Sequence, residues 1–309
     1  MEIANTAGAT IDLDMLAGSL VFGRIEQIAE LFSTHHRRAP LIIWSPAMNE
    51  LPHPAIRAFA KACLSMGDGR QHLNAEQFDV RKLSDLVRWL MLVDVCEGGS
   101  DFVYTYYGQG IANYYRTDMT GSRTSQFGTY ISAFFSSLYR AAMIRRDWVL
   151  SEHEPPDSIF VRRWCRLVVP LTDGLGEVVR FAVLNIPDNE MRGALDAVPV
   201  PCMVADAELM LVHANPTATK LLEQIGISDA EKALPRIFGS SLAIEDPPTR
   251  LLAQDKQLTR AVRLPKARLV TQNGQHTDVT QATIAGASFG TRTYYVITFS
   301  GGIMQPDGT

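Results

Sequence analysis

The chain lacks the patterns that most readily betray a chemistry. Its four cysteines, Cys63, Cys96, Cys165 and Cys202, lie far apart and form no C-x-x-C pair. That spacing excludes a zinc ribbon and gives no disulfide framework; it fits buried, reduced thiols in a cytoplasmic protein. There is no Gly-rich phosphate loop, no H-E-x-x-H, no G-x-S-x-G and no cluster of carboxylates. Gly108-Gln-Gly110 lacks the third glycine of a dinucleotide fingerprint. The expectation is a protein that is not an enzyme and uses no cofactor or metal. Long apolar runs are missing too, since Trp89 to Val93 is far too short to enter and cross a bilayer. The start, MEIANTAGATIDLD, is acidic and has no basic n-region, so it is not a secretory signal. Nor does one charge dominate. With 29 Lys and Arg against 33 Asp and Glu, a net charge of −4, the composition points neither to nucleic acid nor to an anionic membrane.

What is present is ordinary globular composition, 46% hydrophobic and 20% charged over 309 residues. At about 150 residues per domain that is two domains. Leu20, Ile25, Ile28, Leu31 and Phe32 recur at helical spacing and predict one amphipathic helix. It ends at His35, His36, Arg37 and Arg38, a small basic spot that suits a helix C-terminus. An apolar LIIW follows at 41–44, and a second helix starts at Pro54 and stops at Gly67.

From 88 onward the pattern becomes a hairpin. RWLMLVDV and FVYTYY are strands joined by the turn Glu97-Gly98-Gly99-Ser100. IANYY is a short helical turn and Asp118-Met-Thr-Gly a capped one. Thr129 to Arg146 is a longer helix with Ile131, Phe134, Phe135, Leu138, Tyr139 and Ala142 on one face. Three strands follow, at 148–153, 159–171 and 177–186, and then a helical connector capped by Asp188 or Asn189. The order repeats in the second half. PCMVADAELMLVHANPTATKLL is a strand, an Asp turn, a strand and a helix opened by Asn215-Pro216. A hairpin around Asn273-Gly274 and a last strand at 291–300 complete it. The turn aspartates Asp101 and Asp206 are roughly 100 residues apart, the period of a tandem domain and not of a solenoid.

Both halves resemble PAS domains, five-stranded antiparallel sheets with helices inserted after the second strand. Residues 78–121 and RLVVPLTDGLGEV resemble a proteobacterial PAS subfamily with a Gly-led short helix and a D-x-T-G turn. ADAELMLVHANPTATKLL and the later QNGQ turn resemble the commoner type. The fold expected is α+β, with an N-terminal helical extension at 1–74, PAS-like domains at 75–187 and 199–301, a helical connector at 188–198 and a flexible tail at 302–309. The resemblance implies a cytoplasmic sensory or regulatory protein, acting on a signalling partner and as a homodimer, with or without a small ligand in a PAS cavity. Many PAS domains run on into an output helix through an Asp-x-Thr element. Here the sequence ends VITFSGGIMQPDGT, and the expectation is a protein without its own output domain. The family's haem sensors carry a histidine on the helix lining the pocket, and helix 129–146 has none. A flavin photosensor needs a reactive cysteine on a mid-domain helix, whereas Cys96, Cys165 and Cys202 fall on expected strands.

Particular side chains then carry the functional question. Phe102, Tyr104 and Tyr106 alternate, so they share one strand face, filling a core or lining a ligand cavity with Phe134 and Tyr139 of the long helix. Arg162, Trp164 and Arg166 alternate along the long strand. On a concave face Arg162 is an anion-binding group; on a convex one Trp164 and Arg166 form a partner surface, the reading adopted here. Leu31 and Phe32 are expected to cover the convex sheet of the first domain, or of its copy in a dimer, because RWLMLVDV and EVVRFAVLNI are apolar on both faces. His153, His213 and His276 are expected to face solvent.

Overall fold

The computed structural model describes residues 2–4, 10–67, 69, 73–156, 158–188, 190–207, 210–224, 243–244, 261–264, 267–270, 276–289 and 292–304. The Asn273-Gly274 hairpin turn and Asn189, one of the two N-cap candidates of the connector, lie outside the described residues. The chain divides into two units, Met1–Pro155 with Arg163–Asp188, and Pro156–Arg162 with Asn189–Thr309. Both are α+β and built on antiparallel sheets.

The first unit opens with a small pair, β1 (Glu2–Ala4) and β2 (Thr10–Asp12), and two helices, α1 (Leu13–Val21) and α2 (Glu26–Ser33). The single amphipathic helix expected here is broken, because Gly23 takes a left-handed φ of 72° between the two. Then come β3 (Leu41–Trp44), α3 (Pro54–Met66) and β4 (Leu73–Asn74). The main sheet is made by β5 (Leu90–Cys96), β6 (Asp101–Tyr107), β7 (Val149–His153), β8 (Arg163–Thr172) and β9 (Val178–Asp188). Two helices, α4 (Gln109–Tyr115) and α5 (Thr129–Arg145), are inserted after β6. The path is β3-β7-β8-β9-β5-β6, and β4 joins β8 in parallel. β3 and β4 therefore extend the five expected strands from inside the stretch read as a helical extension.

The sheet is covered on both faces. Ile56, Phe59, Ala60, Cys63 and Met66 of α3 pack on Cys165, Leu167, Val169, Leu171, Ala182, Leu184 and Ile186. That cover corrects the expected role of the N-terminal helix. Instead, α1 and α2 pack against α5, on the other side of the sheet. Phe32 is fully buried, 4.9 Å from Tyr130 and 5.2 Å from Phe134 between ring centroids. With both faces filled from within the chain, the apolar sheet no longer calls for a second copy. Cys63, Cys165 and Cys202 are buried free thiols and Cys96 is half-buried. Burial pushes the Cys165 thiol up to about 12 and Cys202 to about 11.

The second unit holds α6 (Glu190–Asp196), β10 (Cys202–Ala205), β11 (Leu211–Ala214) and α7 (Pro216–Gln224), then β12 (Ala243–Ile244), β13 (Val262–Leu264), β14 (Ala267–Val270), β15 (His276–Phe289) and β16 (Arg292–Met304). As in the first unit, the opening hairpin pairs through its first strand with the last strand, which pairs with the one before it. β16 continues to Met304, opposite Asp278. Asn215 caps α7 as its Asn-Pro start predicts. Its Oδ1 accepts from Ala218 N at 2.8 Å and Cys202 N at 3.0 Å, and its amide donates to the carbonyls of Leu195, Val198 and Val200. Among the described residues no helix is long and apolar enough to cross a membrane, and no three His, Cys, Asp or Glu are grouped to hold a metal.

Candidate functional site

The hairpin β5–β6 sets the phase of one wall of the site. Leu92 pairs with Tyr106 but Val93 pairs with Tyr104, so Thr105 is an extra residue on β6. Such a bulge inverts the alternation beyond it. Phe102, Tyr104 and Tyr107 are buried on the concave face under α5. Tyr106 turns to the opposite face, packs with the α3 core and donates its hydroxyl to Val87 O at 3.3 Å. The expected trio is therefore corrected: Tyr107 replaces Tyr106.

The D-x-T-G turn explains why the aromatic strand breaks where it does. Asp118 Oδ1 accepts from Thr120 N at 2.9 Å and Thr120 Oγ1 at 2.7 Å. Gly121, with φ at 83°, then donates to Tyr104 O at 2.7 Å, and Tyr104 N donates to Ser122 O at 3.0 Å. The turn folds back and locks the Tyr104 backbone. Upstream, a Cβ on Gly110 would lie 2.7 Å from Arg88 O and 2.9 Å from the Trp89 ring, so the glycine lets α4 seat against the 3-10 segment Val80–Trp89 that leads into β5. Asp101 ties the start of β6 to the segment before α5, accepting from Phe102 N at 2.8 Å, Thr124 Oγ1 at 2.9 Å and Ser125 Oγ at 2.7 Å.

Four further expectations are reversed. β8 begins at Arg163, and Arg162 stands exposed before it, in the other unit. Trp164 and Arg166 are 0% and 2% exposed, on the concave face. Leu31 and Phe32 are buried at 7% and 0%. The candidates for interaction surfaces, Trp164, Arg166, Leu31 and Phe32, are thus interior, and Arg162, the candidate anion-binding group of the concave alternative, is outside. His153 and His213 are buried rather than solvent-facing. The physical reason is shared: alternation says which residues share a face, but only the helices laid on each face decide which is enclosed.

Cross-strand register brings the polar groups together. Ser151, Arg166 and Asn185 sit side by side across β7, β8 and β9, and His153 lies beside Trp164 in the adjoining row. Arg166 Nε donates to Asn185 Oδ1 at 3.4 Å, and its guanidinium lies 3.8 Å from the centre of the Phe135 ring. Trp164 stacks on Tyr115 at 5.7 Å. Tyr139 of α5 stacks on Phe181 at 5.3 Å, and Phe134 lies 5.5 Å from His153. Of the expected ligand-binding residues, the fold therefore gathers Tyr104, Tyr139 and Phe134 and leaves out Tyr106 and Arg162. Asn185 and Ser151 are not among the expected site residues, and His153 is expected at solvent; the signal is a polar residue at inward positions of neighbouring strands.

The electrostatics of this interior are unusual for a packed core. Arg166 has no ion-pair partner among the described residues, and its Nη1 makes no hydrogen bond. Nor do Trp164 Nε1, Asn185 Nδ2, Ser151 Oγ or either ring nitrogen of His153. The Tyr104 and Tyr139 phenols are near enough to couple, yet Tyr139 Oη lacks a partner with hydrogen-bond geometry. Burial, and then the Arg166 charge, hold His153 well below the usual histidine range. Burial raises the phenols of Tyr104, Tyr107, Tyr115 and Tyr139, with Arg166 opposing it. A surface concavity of about 380 Å³ lies elsewhere, between α1, α5 and the β5–β6 turn, lined by Asp14, Gly18, Glu97, Arg140 and Ile144. There Arg140 already donates to Asp14 Oδ1 at 2.6 Å and to Ser100 O at 2.5 Å, so its charge is matched.

Comparison with solved structures finds partial similarities. The PAS domain of nitrogen regulation protein NR(II) from Vibrio parahaemolyticus is 16% identical, covers 36% of this chain and 97% of its own, and gives a TM-score of 0.29. The Rhodobacter sphaeroides LOV protein is 18% identical over 38% of this chain and 67% of its own, at a TM-score of 0.28. The solved structures this chain is similar to include PAS domains. A third, the E. coli DhaR(N)-DhaL complex, is 13% identical over 79% of this chain and 88% of that chain, at a TM-score of 0.29. No protein-family model matches the chain, and no curated protein matches it. The PAS-like arrangement of the first unit stands on its own strand path, with helices inserted after the second strand of the main sheet.

Proposed function

We propose that the chain is a cytoplasmic sensory or regulatory protein whose first unit is a receptor for a small molecule held between α5 and the sheet. One observation carries this reading: Arg166 is enclosed, positively charged and lacks a counter-charge, beside five further residues with unpartnered polar atoms. Native interiors satisfy nearly all such groups, and a lone buried charge costs several kcal/mol. A protein selected only for stability would replace it. A binding unit keeps it because a ligand completes the set. The reading is of binding: Arg166 and the polar groups beside it are those a bound molecule would complete.

The signal would be read by a protein partner, as in the sequence-based expectation, but not through Trp164, Arg166, Leu31 or Phe32. Native mass spectrometry of the full chain purified from its host is the test. A co-purifying small mass that leaves on denaturation is expected. Bare protein, together with no stabilisation by any member of a chemically mixed small-molecule set, would contradict the reading.

A further inference from the structure

We infer that the ligand of this interior is a small organic monocarboxylate, its carboxylate received by Arg166 and its apolar body by the surrounding rings. The inference rests on the receptor reading above and adds the chemical class.

Charge balance comes first. Arg166 is the single cation on the concave face of the described sheet; Arg140 on α5 is engaged with Asp14. The neighbours that could alter the count are neutral, because burial keeps His153 deprotonated and the four tyrosines protonated. One enclosed positive charge is neutralised by one negative charge. A dianion such as hydrogenphosphate would leave a net charge in a medium that penalises it heavily, and the dihydrogenphosphate monoanion would add hydroxyl donors to a site already rich in donors. A neutral ligand would leave Arg166 as it is.

Hydrogen-bond capacity points the same way. Arg166 Nη1, Asn185 Nδ2 and Trp164 Nε1 are donors without acceptors, and the Ser151 and Tyr139 hydroxyls can donate as well. The acceptors left over are fewer: one nitrogen of neutral His153 and hydroxyl lone pairs. The missing molecule must therefore be rich in acceptors. A carboxylate has two oxygens with about four lone-pair sites and matches the planar guanidinium fork. Asn185 sets that fork, since its Oδ1 engages Nε and leaves Nη1 open. Phe135, Phe181, Tyr139 and Trp164 supply apolar and aromatic surface for the rest of the ligand.

The experiment is thermal denaturation and calorimetric titration of the full chain with benzoate, hexanoate, methyl benzoate and inorganic phosphate. At least one of the two carboxylates should raise the melting temperature by a few degrees at saturation, while methyl benzoate and phosphate should not. Arg166→Met should weaken that carboxylate at least about tenfold, and Arg166→Lys, which keeps the charge but not the fork, should fall between. Full-strength binding to Arg166→Met would overturn the assignment, as would stabilisation by neither carboxylate. Stabilisation by methyl benzoate or phosphate in their place would overturn the carboxylate class while leaving the receptor reading intact. Loss of the receptor reading itself would show separately, as bare protein in native mass spectrometry and no response to any probe.

Discussion

Arg166 and Asn185 face each other directly across β8 and β9, and the single bond between them, Nε to Oδ1 at 3.4 Å, leaves the arginine charge unmatched. Everything around the pair is apolar, aromatic or neutral. The account of the first unit follows from that relationship, and so do its consequences for stability.

His153 makes the first unit acid-sensitive. Its folded pKa is depressed by burial and then by Arg166, whereas the unfolded chain titrates near about 6.5. Below that value the unfolded state binds more protons, so stability is full at neutral pH and is lost as pH falls. The slope should approach about 1.4 kcal/mol per pH unit between about pH 6 and pH 5. Asp101 acts lower. Burial pushes its carboxyl up, but hydrogen bonds from Ser125, Phe102 N and Thr124 outweigh this, so its contribution is lost only below about pH 4. Melting curves of wild type and His153→Phe against pH check the assignment; the variant should show the shallower acid slope.

The β6 bulge separates two tyrosines by function. Tyr106→Phe removes one bond to Val87 O on the α3 side and should cost about 1 kcal/mol with ligand affinity unchanged. Tyr104→Phe alters the concave face and should change affinity. Equal effects of the two substitutions on binding would contradict the assignment of faces.

Much of this was readable beforehand. The β5–β6 hairpin, helix α5 from Thr129, the stop of α3 before Gly67 and the Asn215 cap all follow local chemistry of caps, turns and period. The candidate site was less legible. Period-two alternation holds Trp164 and Arg166 on one face but cannot say that the face is enclosed, since that is decided by α1, α2 and α5, distant in sequence. Nor can alternation reveal Thr105, one extra residue that sends Tyr106 outward and Tyr107 inward. The early start assigned to β8 placed Arg162 in register with Arg166, whereas the strand begins one residue beyond it.

Arg140 and Asp14 join α5 to α1 unequally. Arg140 has its side chain 6% exposed and Asp14 75%. Asp14→Ala should cost at most about 1 kcal/mol, because water replaces an exposed carboxylate. Arg140→Ala also strips the Ser100 carbonyl of its donor and removes a buried stem, and should cost about 2–3 kcal/mol. Chemical denaturation of both variants checks the ratio.

In the second unit Asn215 is bonded to five backbone groups of α6, β10, α7 and the segment between α6 and β10. Asn215→Ala should destabilise by about 2–4 kcal/mol, since it leaves several of those groups buried without partners. A loss below about 1 kcal/mol in denaturant titration would show that the hub is redundant.

The most direct measurement is the melting temperature of ligand-free Arg166→Met against ligand-free wild type. A charge kept for a ligand is a burden on the empty fold, and a buried charge exchanged for an apolar side chain of similar size is neutral or stabilising by about 1–4 kcal/mol. The predicted result is a variant that melts at the same temperature or higher; a fall of several degrees would mean that Arg166 serves the fold and would contradict the account.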